Sequence, residues 1–292
     1  MSTVTGLKQA LPYLRLYSGT IFVVKMGGEI VAEEETLDNL VTQISLLHQL
    51  NIHVVVVHGG GPQASELARN LGIRVEVVNG RRVTDARTLD VAKMVFNGKL
   101  NTDILASLSR HQVPAVGLSG VDSGLISALR RPVQNVVDRE TGKLRKVNFG
   151  FVGDIETVNP EVVNHLISGS YVPVISAMAG GEGGHVYNIN ADTVAAEIAV
   201  ALEATKLIFL TPIVGVLRDP TDRETLISQI QLDELDGFLG RSVKGGMSVK
   251  LEACRRAIEG GVPRAHIISG LERDTLLSEI FTNEGCGTLT EA

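Results

Sequence analysis

Lys25-Met26-Gly27-Gly28 closes the first apolar run of the chain. A lysine beside two glycines suits a phosphate, because it offers a mobile cation next to backbone N–H groups that a ligand can approach closely. His58-Gly59-Gly60-Gly61-Pro62 follows a second apolar run and precedes a helical stretch. Glycines bare the backbone there, the first turn of a helix presents free N–H groups to an anion, and Pro62 is tolerated in that turn. Lys244-Gly245-Gly246-Met247-Ser248-Val249-Lys250 repeats the combination near the other end. Lys250 falls one turn into its helix, where it either reaches a ligand from the opposite side or extends into solvent. Asn188-Ile189-Asn190-Ala191-Asp192 precedes another helix. These side chains either simply cap it or, since an acid near two lysines can orient them, place a carboxylate between the two cations. Arg82, after Asn79-Gly80, is either a planar clamp for a carboxylate or a surface arginine.

Other chemistries find less support. The spacing from Gly59 to Ala64 satisfies Gly-x-Gly-x-x-Ala, with Glu76 available for a ribose, which leaves an NAD(P)-binding oxidoreductase as an alternative. No Walker sequence occurs, so the chain is not a P-loop enzyme. The histidines show no His-x-x-x-His spacing and Cys254 and Cys286 no ligand spacing, so no protein-held metal is expected. Two cysteines in 292 residues point to a reducing, cytoplasmic setting. A net charge of −6 argues against a nucleic-acid partner. The run Val54 to Val57 is far too short to span a membrane, and the N-terminus lacks a signal-peptide pattern, so a soluble protein is expected.

The elements that must position these residues alternate along the chain. Apolar runs at 21–24, 52–57, 115–118, 171–175, 207–210 and 266–268 read as buried strands. Helix-period stretches lie between them at 37–50, 62–71, 88–110, 160–167, 191–202 and 247–258. Continuous apolar strands separated by helices predict an α/β fold, a three-layer αβα sandwich around a mostly parallel open sheet. Residues 125–149 break the alternation and read as an inserted β-hairpin turning at Glu140-Thr-Gly142. The glycines of 180–184 are a lobe boundary or a plain surface loop. Ligands of open α/β sheets sit beyond the carboxyl ends of the strands, where the glycine segments fall.

Taken in order, Lys-x-Gly-Gly, His-Gly-Gly-Gly-Pro, Asn-Gly-x-Arg-Val-Thr, Gly-Leu-Ser-Gly, Gly-x-Val-Gly-Asp, Asn-x-Asn-Ala-Asp and Gly-Gly-Met-x-x-Lys resemble the acetylglutamate kinases of the amino acid kinase family, from about Leu7 to Leu289. The resemblance implies direct transfer of phosphate from ATP to the side-chain carboxylate of N-acetyl-L-glutamate, the second step of arginine biosynthesis. By it, Lys25 and Lys250 stabilise the transferring phosphoryl group, Asp192 organises them, and Gly28 with Gly60 and Gly61 donates backbone N–H groups. Arg82 and Asn188 hold the α-carboxylate and amide of the substrate. Gly27, Gly28, Thr211, Gly215, Gly245, Gly246, Met247 and Lys250 meet the nucleotide, with Mg²⁺ carried on its phosphates. Residues 20–184 become the acetylglutamate lobe and 185–292 the nucleotide lobe. An acetylaminoadipate kinase and a non-catalytic arginine sensor of the same fold are the alternatives.

Some positions depart from the family pattern. Thr211-Pro212-Ile213 lacks the usual acid, Val121 and Ser123 replace a usual lysine and glycine, and Arg81 replaces an apolar residue. Residues 1–19 resemble the extra N-terminal helix of arginine-inhibited hexameric members, and the segments around His266 and Glu279 resemble the same group. That match implies Lys206, His266 and Glu279 as arginine ligands. The stripe Leu7, Leu11, Leu14 and Tyr17 predicts a helix that pairs with its copy about a two-fold axis, building dimers into a hexamer.

Overall fold

The computed structural model describes every residue except 1–2, 79–80, 138–141, 242–244 and 283. The chain opens with helix α1 (Thr3–Tyr17), strand β1 (Ile21–Met26) and helices α2 (Gly28–Val31) and α3 (Glu34–Gln49). Strand β2 (His53–His58) and helix α4 (Gly61–Asn70) follow, then the short strands β3 (Glu76–Val78) and β4 (Arg81–Val83). Helix α5 (Ala86–Lys93) passes through a π-helical segment, Met94–Leu100, into α6 (Asn101–Arg110). Next come β5 (Ala115–Gly120), β6 (Ile126–Arg130), β7 (Gln134–Val137), β8 (Leu144–Val147), β9 (Gly153–Val158) and α7 (Glu161–Ser168). The remainder is β10 (Val172–Gly180), β11 (Val186–Asn188), α8 (Ala191–Ala201), β12 (Lys206–Thr211), β13 (Gln229–Gln231), α9 (Leu235–Arg241), α10 (Gly246–Glu259), β14 (Arg264–Ser269), α11 (Thr275–Phe281) and β15 (Thr288–Glu291).

One eleven-stranded sheet runs β13-β15-β14-β12-β1-β2-β10-β6-β9, with β5 and β11 also paired to β10. Strands β14, β12, β1, β2, β10 and β5 are parallel to their neighbours, whereas β9, β11 and β15 run antiparallel. A parallel sheet covered on both faces needs apolar side chains at both parities, hence the unbroken valines of β2. The parity of each strand still assigns its side chains to one layer. Phe22, Val24 and Met26 of β1 join Val54 and Val56 against α3, α6 and α11, while Val23, Val55 and Val57 face α8 and α10. Lys25 shares the parity of Val23 and His58 that of Val56, so the two residues leave the sheet on opposite faces.

The inserted hairpin is smaller than the sequence suggests. Ile126–Arg130 joins the main sheet as β6, because Ile126 and Ala128 are buried in its core. Only β7 and β8 pair as a separate hairpin, over a small cluster holding Val147 and Phe149; its expected turn lies partly outside the described residues. The strand expected at 171–175 continues to Gly180. The helix expected from Thr88 starts at Ala86, capped by Asp85 accepting the Thr88 N–H at 2.8 Å. The short strands β3, β4, β11, β13 and β15 carry too few residues for a pattern to show, and β9 is too polar to read as a buried strand.

Candidate active site

The parity of β1 sends Lys25 toward the face covered by α8 and α10. There Lys25 Nζ lies 2.8 Å from Asp192 Oδ1, and Lys250 Nζ lies 3.3 Å from Asp192 Oδ2. Asp192 occupies the first turn of α8, where a carboxylate is favoured by the helix dipole. Asn190 caps that helix, its Oδ1 accepting the N–H groups of Asp192 and Thr193 at 2.9 and 3.1 Å. Burial alone would push the Asp192 carboxyl upward; the two ammonium groups and their hydrogen bonds outweigh it and hold the group below its ordinary value. The carboxylate therefore stays charged between two cations, which it spaces on either side of itself.

All three residues line a cavity of about 330 Å³ at the carboxyl ends of β1 and β2. The glycines of the two N-terminal segments form its floor. A Cβ on Gly28 would come within 2.9 Å of Pro62 Cδ and 3.2 Å of Gly60 Cα, so these segments touch only because Gly28 lacks a side chain. Gln63 Nε2 ties them by donating to the Gly28 carbonyl at 2.6 Å. The Arg82 NH2 donates to the Gly61 carbonyl at 2.6 Å and to Ser65 Oγ at 2.5 Å. Its NH1 is buried without a partner, and the residue lines the cavity. Asn188, also at the wall, donates from Nδ2 to Thr84 Oγ1 at 3.2 Å. One cavity thus gathers two kinds of anion donor: ammonium groups braced by Asp192, and a guanidinium beside glycine backbone.

Residues 20–269 match the amino acid kinase family. The chain belongs to that family. It is 45% identical, over 98% of its own length and 96% of the relative, to acetylglutamate kinase of Desulfitobacterium hafniense. It is 46% identical to acetylglutamate kinase of Symbiobacterium thermophilum, over 97% of this chain and 95% of that one. Among solved structures it resembles N-acetylglutamate synthase of Neisseria gonorrhoeae complexed with coenzyme A and N-acetyl-glutamate, with a TM-score of 0.85 and 28% identity. That match covers 100% of this chain and 64% of the synthase. The synthase complexed with coenzyme A and L-arginine gives a TM-score of 0.83 at 25% identity.

Within this member of the amino acid kinase family, Lys25, Gly27, Gly28, Gly60, Gly61, Arg82, Asn188, Asp192 and Lys250 all meet at the one cavity. Thr211, Gly215, Gly245, Gly246 and Met247 do not line it. The Thr211 hydroxyl folds onto its own loop, donating to the Ile213 carbonyl at 2.6 Å, and Gly215 is packed so tightly that a Cβ would sit 2.6 Å from Thr288 Oγ1. Lys244 and Asn79-Gly80 of the sequence motifs lie outside the described residues. Lys206, His266 and Glu279 gather elsewhere, on the face of the sheet shared with α1 and α11. Lys206 Nζ is 2.9 Å from His266 Nε2, and His266 Nδ1 is 2.7 Å from Glu279 Oε1. Burial pushes Lys206 down to about 8; Glu279, despite its own burial, falls to about 2 through hydrogen bonds from His266 and the Cys286 N–H. Arg81, Arg131, Phe96 and Glu29 also line the same cavity. Nothing in the spacing of Arg131 or Phe96 marks them, because β6 and the π-helical segment bring them in from distant parts of the chain.

Proposed function

We propose that this chain transfers the γ-phosphoryl group of ATP to the side-chain carboxylate of N-acetyl-L-glutamate, giving N-acetyl-L-glutamyl phosphate and ADP. The observation that carries the reading is the pair of ammonium groups braced by buried Asp192 in the same cavity as the Arg82 guanidinium. A carboxylate oxygen forms the new P–O bond, the bond from the γ-phosphorus to the bridging oxygen breaks, and ADP leaves with that electron pair. The nucleophile is already ionised at neutral pH, so no general base is required. What the reaction needs is positioning and stabilisation of charge on the phosphoryl oxygens. Lys25 and Lys250 supply the charge, Asp192 spaces them, and the backbone N–H groups of Gly28, Gly60 and Gly61 add donors. Arg82 takes the α-carboxylate through its guanidinium, and Asn188 meets the acetamido group.

The glycine floor and Arg82 support reading residues 20–184 as the acetylglutamate lobe, and Lys250 with the start of α10 supports reading 185–292 as the nucleotide lobe, with Asn188 at the boundary. Gly245 to Met247, at the start of α10, would then meet the nucleotide beyond the cavity, whereas Thr211 and Gly215 are packed into their own loop and would shape it only indirectly. Both Asp192 oxygens face lysines rather than a cation, so Mg²⁺ would be carried by the ATP phosphates. A phosphorylation assay pairing ATP with acetylglutamate, acetylaminoadipate, glutamate and aspartate tests the reading. Preference for acetylglutamate is expected; ADP formation with none of the four would leave the arginine-sensor alternative standing.

Lys206, His266 and Glu279 support a second reading, inhibition by arginine. Glu279 supplies a carboxylate for a guanidinium, and the similar synthase has been crystallised with L-arginine. These three side chains are closed on one another beside Tyr17, so arginine would have to open the root of α1 to enter. Activity that ignores millimolar arginine would remove this reading while leaving the first intact.

A further inference from the structure

Beneath the glycine floor lies a buried polar network that the kinase reading does not use. His58, the last residue of β2, is fully buried on the α6 face of the sheet. Its Nδ1 lies 3.0 Å from the Gly59 carbonyl oxygen, and its Nε2 lies 3.1 Å from Asn101 Nδ2. Asn101 Nδ2 also donates to the Val174 carbonyl of β10 at 3.0 Å, which fixes which end of the amide is nitrogen. A carbonyl only accepts and an amide nitrogen only donates, so a single tautomer satisfies both contacts: Nδ1 carries the proton and Nε2 is bare.

The π-helical segment explains how α6 reaches this point. Its wider turn lets Asn97 accept from the Ser176 hydroxyl at 2.5 Å while Asn101 serves His58, and Ser176 is the β10 neighbour of His58. The same segment presses on the loop itself: a Cβ on Gly60 would lie 2.3 Å from Leu100 Cδ1 and 2.8 Å from Phe96 Cδ1. A trans peptide is planar, with its C=O and N–H pointing in opposite directions. Holding the Gly59 carbonyl on the buried imidazole therefore turns the Gly60 N–H the other way, toward the cavity that Gly60 lines.

We propose that His58 and Asn101 are positioning residues, which hold the Gly59–Gly60 peptide so that the Gly60 N–H is aimed at the reacting groups. The proposal rests on the kinase reading above. Burial pushes the imidazole down to about 4, the Gly59 hydrogen bond offsetting only part of the effect, so His58 is neutral throughout the working range. The neighbours set against it are Met26 of β1, Ser176 of β10 and Asn101 of α6, none of which titrates there.

Two variants and one spectrum test the proposal. In Asn101→Asp the new carboxylate accepts from Nε2–H, and the ring keeps its Nδ1–H as well only when it is protonated. The carboxylate raises the His58 pKa, so the doubly protonated ring is present at low pH and lost as pH rises through that value. The kcat of Asn101→Asp relative to the unaltered enzyme should be down roughly 10- to 100-fold near about pH 9 and recover toward about pH 6. Asn101→Leu fills similar space without donors and should be equally slow at every pH, with the KM values of both variants changing much less than kcat. Identical pH behaviour in the two variants, or an unaltered kcat in both, would overturn the proposal. Nitrogen-15 NMR of the unaltered protein reads His58 without any assay. It should report a neutral Nδ1–H ring from about pH 6 to 9, and an Nε2–H ring or a titration in that range would equally sink the idea. Failure of the unaltered enzyme to phosphorylate acetylglutamate would instead count against the kinase reading.

Discussion

Asp192 sets the electrostatics of the cavity, since its buried carboxylate keeps two ammonium groups near one point. If Lys25 and Lys250 act on the phosphoryl group in flight, their effect belongs to the transition state. Lys25→Ala or Lys250→Ala should then lower kcat by about 100-fold or more with smaller changes in KM, measured by steady-state kinetics. Unchanged kcat would take that lysine out of the mechanism. Asp192→Asn leaves the two cations facing each other and should cost about 3–5 kcal/mol of stability in urea unfolding. The sign of its pH dependence follows from the lowered pKa. The ion pairs contribute fully above the unfolded value of about 4, and the contribution is lost as pH falls through the folded value, an acid limb that Asp192→Asn should lack. Arg82→Lys keeps the charge but loses the fork that spans Gly61, Ser65 and the cavity. The KM for acetylglutamate should rise while that for ATP holds; a rise confined to ATP would reverse the lobe assignment.

Among the elements, the long helix from Ala86 to Arg110 does more than cover the sheet. Its π-helical segment brings Phe96 and Leu100 against Gly60, and so leaves no room for a side chain there. Gly60→Ala should push the loop off the helix, costing about 1–3 kcal/mol in overpacking and lowering kcat. Gly61→Ala is a matched control, because a Cβ there meets nothing within 4 Å. Equal losses in the two variants would show that backbone freedom, not the helix, sets the requirement. The apolar periodicity of 88–110 revealed a helix, but one extra residue in a turn leaves that periodicity nearly unchanged, so the π-helical segment was invisible before the strands were in place.

At the scale of the molecule, the continuous sheet joins both proposed lobes and α1 stands partly outside it. Tyr17 is buried against Phe22, whereas Leu11 and Leu16 are 44% and 63% exposed. Tyr17 thus belongs to the core, whereas Leu11 and Leu16 leave one described face of α1 uncovered by its own subunit. The side chain of Leu7 lies outside the described residues. A truncation should therefore spare Tyr13 and Tyr17. Deleting residues 1–12 is expected to reduce a hexamer to dimers in light scattering, keep kcat, and weaken inhibition by arginine. A full-length protein that is already dimeric would end the hexamer proposal.

Apolar runs and glycine segments were enough to define an α/β chain with a parallel sheet, because burial on both faces and close backbone approach leave marks on neighbouring residues. They also offered Lys25, Asp192, Lys250 and Arg82 as candidates, each with a plain alternative, and only the order of the motifs along the chain, through the family resemblance, gave them roles. What they could not specify was which side chains share a face. That depends on strand parity and on pairing between residues far apart in the chain, which sends Lys25 to α8 and α10 but His58 to α6. Arg131, Phe96 and the His58–Asn101 contact acquire their positions only when β2, β6, β10 and the long helix come together, since long-range packing leaves no periodic trace in the segments it joins.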